Sequence, residues 1–540
     1  MSTKRWLLLI VATGAALRFF PVWFGLPYLH ARPDEEVATG VAARMLEGDL
    51  NPGFFHWPSL TFYLFAGIFR LAALARPLPH FPDPEYLLIG RIVVACAGTA
   101  TLVILFRMAR RVGGDATGLV AAALLAVAIL HVRDSHFAMT DVLMTLFATA
   151  SLALLLRAVD EHGRSGALYW FAAAGLAGGL AASTKYHGAA VAAAMGAAQI
   201  LVLGRERRLV ALLPSIAYAV PFAAGFVLAT PYAVLDFPKF KEDFIFNFAH
   251  LAGGHGIDLG RGWSYHLTRS LPYGLGPTAF AAAVIGIVPL LLKHRRHAFV
   301  LGTFFVALYV SIGSGYTVFF RYILPLLPVA CLAAAVGVQA CLEWLSQRRG
   351  RLFFDRRLAY AALLALTLGP GLVNSIWFDV LLSRTDSRVL AAEWLTARLQ
   401  PHHTLHDPRA YAPLDLSEAA FHRSDFHPST SSFDGPGGRP PDWLVLYRSP
   451  LYTYTRMPWQ LQTLARTRYR RVHTVRASTA ARSDFVYDLQ DAFFMPVWGF
   501  WNVERPGPTI DIYARTDVLM PGANSAGVDP DRTRSDGKHR

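Results

Sequence analysis

The run "SLTFYLFAGIFRLAALA", residues 59–75, decides how this chain is threaded. It is apolar and close to the roughly 17–25 residues a helix needs to cross the hydrocarbon core. Similar runs recur along the chain, and lipid cannot satisfy exposed backbone groups, so such runs must be helices. Counting 59–75 as a crossing would place "RMARR", "RERR" and "KHRRH" outside the membrane, against the tendency of basic loops to stay in the cytoplasm. The run therefore reads as a helix lying at, or dipping into, the outer interface.

With that choice made, the remaining runs predict eleven spans. They fall near 6–26, 87–107, 116–132, 138–157, 167–183, 188–203, 209–230, 271–292, 297–313, 320–343 and 358–378. The N-terminus is then cytoplasmic and the long C-terminal segment outside. The first run lacks a small-residue cleavage site and reads as a retained helix, not a signal peptide. Composition agrees: 54% of the 540 residues are hydrophobic and only 16% charged. The net charge of +14 sits in short loops between apolar runs, so it orients helices and does not indicate nucleic acid. The three cysteines, Cys96, Cys331 and Cys341, lie in apolar runs and read as small buried hydrophobes.

After the last span the pattern changes. "DSRVLAAEWLTARL" has helical apolar spacing. "DWLVLY" and "PTIDIYA" read as strands, and "YRRVHTV" as a weaker one. The expected architecture is an all-α polytopic membrane protein of about eleven transmembrane helices with a small C-terminal extracytoplasmic α/β domain. The division is 1–378 for the membrane domain, with its first outer loop at 27–86, then 379–515 for the α/β domain. Residues 516–540 are polar and aperiodic, which predicts disorder.

Polar residues gather on the outer face. "HARPDEEVATGVAARMLEGD" (30–49) carries Asp34, Glu35 and Glu36 beside an apolar helix. Asp34, after Pro33, could cap the next helix, since carboxylates favour a helix N-terminus. It could equally serve as a base. "RDSHFAMTD" adds Arg133, Asp134, His136 and Asp141, with Asp141 opening a helix. "STKYHG" places Lys185, Tyr186 and His187 outside, and "GYTVFFRYILPLLP" places Arg321 and Tyr322 there. Outer cations oppose the usual charge bias, which suggests a phosphate partner. "HGIDLGRGWSYHLTRS" contributes His255, Arg261 and His266 without HExxH-like spacing, so ordinary loop histidines are expected rather than a metal site. Carboxylates to accept a proton and cations to stabilise a phosphate leaving group thus share one face.

The order "PDEE", "HWPSLTFYL", "DSHFAMTDVLMT", "STKYHG" and "RYILPLLP" resembles the membrane glycosyltransferases of the protein O-mannosyltransferase and aminoarabinose transferase superfamily, which are glycosyltransferase family 39-like with the type C fold. The resemblance covers roughly residues 5–345, and "PDWLVLY" and "VERPGPTIDIY" look like the exported tail of bacterial members. It implies inverting transfer of a hexosyl or pentosyl group from a polyprenyl-phosphate sugar to an envelope acceptor (lipid, polysaccharide or protein) at the outer face of the cytoplasmic membrane. It places the family's base on Asp34, with Glu35 beside it, and the second outer acid on Asp141. His56 and Pro58 match the family's His-Pro-Pro or Lys-Pro-Pro element. Trp57 stands where the aminoarabinose transferases carry a phosphate-binding lysine, so Lys185 and Arg321 become the phosphate candidates. His56, Arg133, Tyr186, His255, Arg261 and Tyr322 are further pocket candidates. No cofactor is called for, and a divalent metal stays compatible with these residues. Two other classes compete: a transporter or flippase, which would carry inverted repeats and interrupted midplane helices, and a non-catalytic envelope assembly protein.

Overall fold

The computed structural model describes residues 2–163, 166–203, 212–347, 356–408, 411, 413–434, 438–479 and 485–516. The chain divides into two compact units: Met1–Arg384 together with Arg482–Trp501, and Thr385–Ala481 together with Asn502–Arg540. The division by sequence had assigned 482–501 to the α/β domain; the structure joins it to the helical unit. The expected disordered tail, apart from Thr516, and most of the basic loops "GRERRL" and "QRRGRLFFDRR" lie outside the described residues.

The helical unit is a multi-pass membrane protein. Among the described residues seven helices are long and apolar enough to cross, or up to eight if one bent pair counts as a single span. The expected eleven are not reached by that measure, for local reasons. Helix Thr3–Phe19 stops short of residue 26, because Pro21 disfavours helical geometry in the residue before it. Helix Leu213–Ala229 has 17 residues. Helix Pro84–Ala126 runs through two of the expected spans, but its backbone leaves helical angles at Gly113 and Gly114. The turn falls in "RMARRVGG", where the sequence placed a loop. The bent pair, Gly262–Leu275 and Pro277–Lys293, turns by 113° at Gly276, whose φ of 101° suits glycine.

Residues 59–75 form the helix Leu60–Ala75. At 1.5 Å per residue it spans about 24 Å, less than the roughly 30 Å hydrocarbon thickness. Phe62, Phe65 and Phe69 are buried on one face, while Leu71 and Leu74 are exposed. Helices Ala167–Thr184 and Leu213–Ala229 approach closely because Gly175 and Gly179, four apart, face the Tyr218 and Phe222 carbonyls, where a Cβ would clash. Arg18, fully buried, donates to the carbonyls of Leu125 (3.0 Å) and Ala126 (3.1 Å). It thereby satisfies the C-terminal end of helix Pro84–Ala126.

The second unit holds strands β1 (Thr404–His406), β2 (His422–Arg423), β3 (Phe426–His427), β4 (Ser432–Phe433), β5 (Trp443–Arg448), β6 (Tyr469–Val475) and β7 (Thr509–Arg515). Its main sheet has the order β2-β1-β5-β7-β6. β1 is parallel to β2 and β5, and β5-β7-β6 are antiparallel. β5 is central and its first five residues are buried. Alternation sends Trp443, Val445 and Tyr447 into one core with Ala391 and Leu395 of helix Ser387–Thr396. Leu444 and Leu446 enter a second core with Leu461 and Tyr469. The three strands and the helix expected from sequence are all present. The short β1 and β2 and the β3–β4 hairpin had no readable alternation.

Candidate active site

Asp34 stands at the start of helix Glu35–Arg44 with φ 71°, and its side chain makes no capping hydrogen bond. The capping role is therefore absent. A non-glycine residue held in the left-handed region costs free energy, and such residues concentrate at functional sites. Its side chain is 30% exposed, with Oδ2 3.8 Å from Arg321 Nη2. Glu35 is different. It is fully buried, and its two oxygens accept from Arg91 Nε (2.8 Å) and Nη2 (2.6 Å), with the Ala138 amide at 2.7 Å. A carboxylate so occupied is not a free base, which corrects the expectation that Glu35 shares catalysis. Arg91 in turn donates to the Phe24 carbonyl at 2.7 Å, so the pair locks the loop that carries Asp34.

Asp141 opens helix Asp141–Asp160 and receives Lys185 Nζ at 2.6 Å. Its Oδ2 is buried without a partner. Lys185 ends the helix Ala167–Thr184 and lies 5.1 Å from the centre of the Tyr322 ring. Burial pushes its ammonium below the ordinary lysine value, with Asp141 opposing that and Arg321 adding to it. The Tyr322 ring also meets His187 at 5.3 Å and Phe319 at 5.5 Å. The carboxylates acting on the Arg321 charge are Asp491, Asp34 and Asp141. Asp34, Asp141, Lys185, Arg321 and Tyr322 are thus brought together.

His255 packs on Phe319 at 5.1 Å and on His250 at 5.3 Å. Burial lowers its pKa, and Arg321 lowers it further while Asp34 opposes. His56 packs between Phe54 and Phe246, and its Nδ1 is buried without a hydrogen bond. Trp57 sits against Phe54 and Phe62. Tyr186 donates to the Phe55 carbonyl at 2.8 Å and packs on Phe240 and Phe244, a structural anchor. Arg261 is exposed over Trp263 and Tyr316, and no described hydrogen bond or ion pair joins it to the cluster. Arg133 is fully buried and committed to Asp134 (3.2 Å) and Asp491 (2.7 Å). The described residues contain no group of three His, Cys, Asp or Glu placed to hold a metal ion.

Sequence reasoning missed the return segment "FVYDLQDAFFMPVW" (485–498). Asp491 accepts a hydrogen bond from Arg133 Nη2 (2.7 Å) and forms ion pairs with Arg32 (3.0 Å) and Arg321 (3.3 Å). Asp488 accepts from the Phe320 amide at 2.8 Å. Gln490 accepts from the Val318 amide and donates to the Ile257 and Tyr316 carbonyls. Burial would raise both carboxyls. For Asp491 the Arg32, Arg321 and Arg133 guanidiniums outweigh burial and hold it low. Asp488 is pushed up by burial and by Asp491. The available signal was an aromatic run, "DAFFMPVWGFW", too apolar for an exposed loop of a small domain and lacking strand alternation.

Glu36 was also passed over. Its Oε2 is buried without a partner, and Oε1 lies 3.9 Å from His30 Nδ1. Burial raises its pKa to about 7, with the Asp34 and Glu35 charges adding to the shift. Because the folded value exceeds the unfolded 4.5, its stabilising contribution is complete below about pH 4.5 and lost as pH rises through about 7. Glu36→Gln should therefore flatten the fall in thermal stability across that window. Identical pH slopes for the two proteins would refute this.

Comparison with known proteins adds to this geometry. The family described as dolichyl-phosphate-mannose-protein mannosyltransferase matches residues 80–240. The apo ArnT structure from Cupriavidus metallidurans aligns over 96% of this chain and 100% of its own, at TM-score 0.50 and 16% identity. The chain has the type C glycosyltransferase fold. The apo oligosaccharyltransferase of Archaeoglobus fulgidus aligns over 73% of this chain at TM-score 0.51 and 13% identity. This chain covers 58% of that archaeal protein's length. No curated protein matches it. At these identities the likeness is one of fold, as the sequence resemblance implied.

Proposed function

We propose that the protein is an inverting glycosyltransferase that moves a sugar from a polyprenyl-phosphate donor to an envelope acceptor at the outer face of the cytoplasmic membrane. The observation that carries this is Asp34: a strained carboxylate with no capping role, facing Arg321 in a cluster that also holds Lys185 and Asp141. Asp34 takes the proton from the acceptor hydroxyl or amine as that atom bonds to the anomeric carbon. The carbon–oxygen bond to phosphate breaks, and the polyprenyl phosphate leaves with the electron pair. Arg321 and Lys185 stabilise the charge it gains. Glu35 and Arg91 hold the base loop in place and do not react. Purified protein incubated with polyprenyl-phosphate sugars, together with mass spectrometry of envelope glycans and lipids with and without the protein, tests the reading. An unchanged envelope and no turnover would favour a transporter or an assembly role.

The sidedness belongs to the same proposal, since the polyprenyl donor must meet the cluster outside. In a background without native cysteines, Ser525→Cys should react with an impermeant reagent in intact spheroplasts, and Arg207→Cys should not. The reverse pattern would refute the charge argument and the donor side together.

A further inference from the structure

The return segment 485–501 is positioned as part of the helical unit although it follows most of the α/β unit in sequence. Asn374 donates to the Val497 carbonyl at 3.1 Å, and Phe378 packs on Phe500. Phe493 packs on Phe24 and Phe137. At its tip three buried guanidiniums, from Arg32, Arg133 and Arg321, converge on one carboxylate. Each arginine comes from a different part of the outer face. Arg32 and Arg133 also lie over the Phe493 ring. The Nε atoms of all three are buried without partners; Arg133 also pairs with Asp134 and Arg32 also donates to the Pro33 carbonyl, while Arg321 has Asp491 as its nearest counter-charge and the Phe319 ring beneath it. Three like charges this close repel one another unless a counter-charge sits among them. Arg321 has one Nη on Asp491 and the other towards Asp34.

We infer that Asp491 is a positioning residue that holds Arg321 in the orientation from which it binds the donor's phosphate. This rests on the proposed donor chemistry. It also makes the C-terminal return segment a working part of the site, not an appendage. Truncating a side chain that holds a charged donor leaves that donor misdirected. The loss of a buried counter-charge 3.3 Å from that guanidinium corresponds to about tenfold or more in affinity.

The test measures binding of undecaprenyl phosphate to the full-length protein in detergent, so the sugar need not be known. Asp491→Asn is expected to weaken binding about tenfold or more. In an Arg321→Met background the same change should add no further weakening, because the two residues act as one unit. A purely structural role would lower the melting temperature and leave the affinity of the folded fraction unchanged. Unchanged binding overturns the inference. Tighter binding overturns it too, since Asp491 would then compete with phosphate for the guanidinium. Should the Asn variant fail to fold, Asp491→Glu decides: it keeps the charge but moves it by one methylene, and normal binding by it refutes positioning. If wild-type protein does not bind undecaprenyl phosphate, the donor reading itself fails. If wild type binds and the Asp491 variants bind equally, only this inference does.

Discussion

Asp34→Asn is expected to leave the protein folded and able to bind donor while slowing transfer about 10²–10⁴-fold, the usual scale for loss of a general base. Asparagine keeps the size of the side chain and tolerates the left-handed conformation at least as well as aspartate. The φ of 71° therefore gives no reason for misfolding. Alanine is less informative here, because forcing it into that region costs about 1–2 kcal/mol. Its effect on stability would come from backbone strain, since no cap bond exists to be lost. Glu35→Gln is the contrasting variant. It leaves the buried Arg91 without its counter-charge, which typically costs about 3–5 kcal/mol of stability. Activity per folded molecule should fall far less than in Asp34→Asn. The measurement is turnover normalised to folded protein. Normal turnover in folded Asp34→Asn protein would remove the mechanism.

Arg321→Met is expected to cost about 2–5 kcal/mol in donor recognition, seen as a raised donor KM or lowered kcat. The structure makes this the cleaner of the two cation variants. Asp491 would still be held by Arg32 and Arg133, so no buried carboxylate is stranded. Lys185→Met would strand Asp141, which is 1% exposed and bonded to Lys185 at 2.6 Å. Its loss of stability would mask any kinetic effect. The double variant Lys185→Met with Asp141→Asn removes both charges and isolates the contribution of the cation. If it and Arg321→Met both show wild-type donor kinetics, neither residue binds the phosphate.

Much of the architecture was readable because its signals are local. Apolar length marks spans, and the apolar, β-prone runs "DWLVLY" and "PTIDIYA" mark strands. The helix at 60–75 was recognised from its apolar run alone. Span ends were less readable. Pro21 and the Gly113–Gly114 break act through backbone sterics that an apolar count does not register.

The sequence by itself determined a multi-pass helical membrane protein, a C-terminal α/β unit, and one face carrying both carboxylates and cations. It also brought out Asp34, Asp141, Lys185 and Arg321, because each is a charge out of place beside apolar helices. It could not divide Asp34 from Glu35. Those neighbours differ only in what lies opposite them: Arg91 and the Ala138 amide for one, Arg321 across 3.8 Å for the other. Nor could it join Asp491 to Arg32, Arg133 and Arg321, which lie 170 to 459 positions before it along the chain. Ion pairs formed by chain return leave no periodicity, spacing or composition signal. Only the tertiary structure, by bringing 485–501 back onto the helical unit and Arg91 onto Glu35, decided which charges are committed to one another.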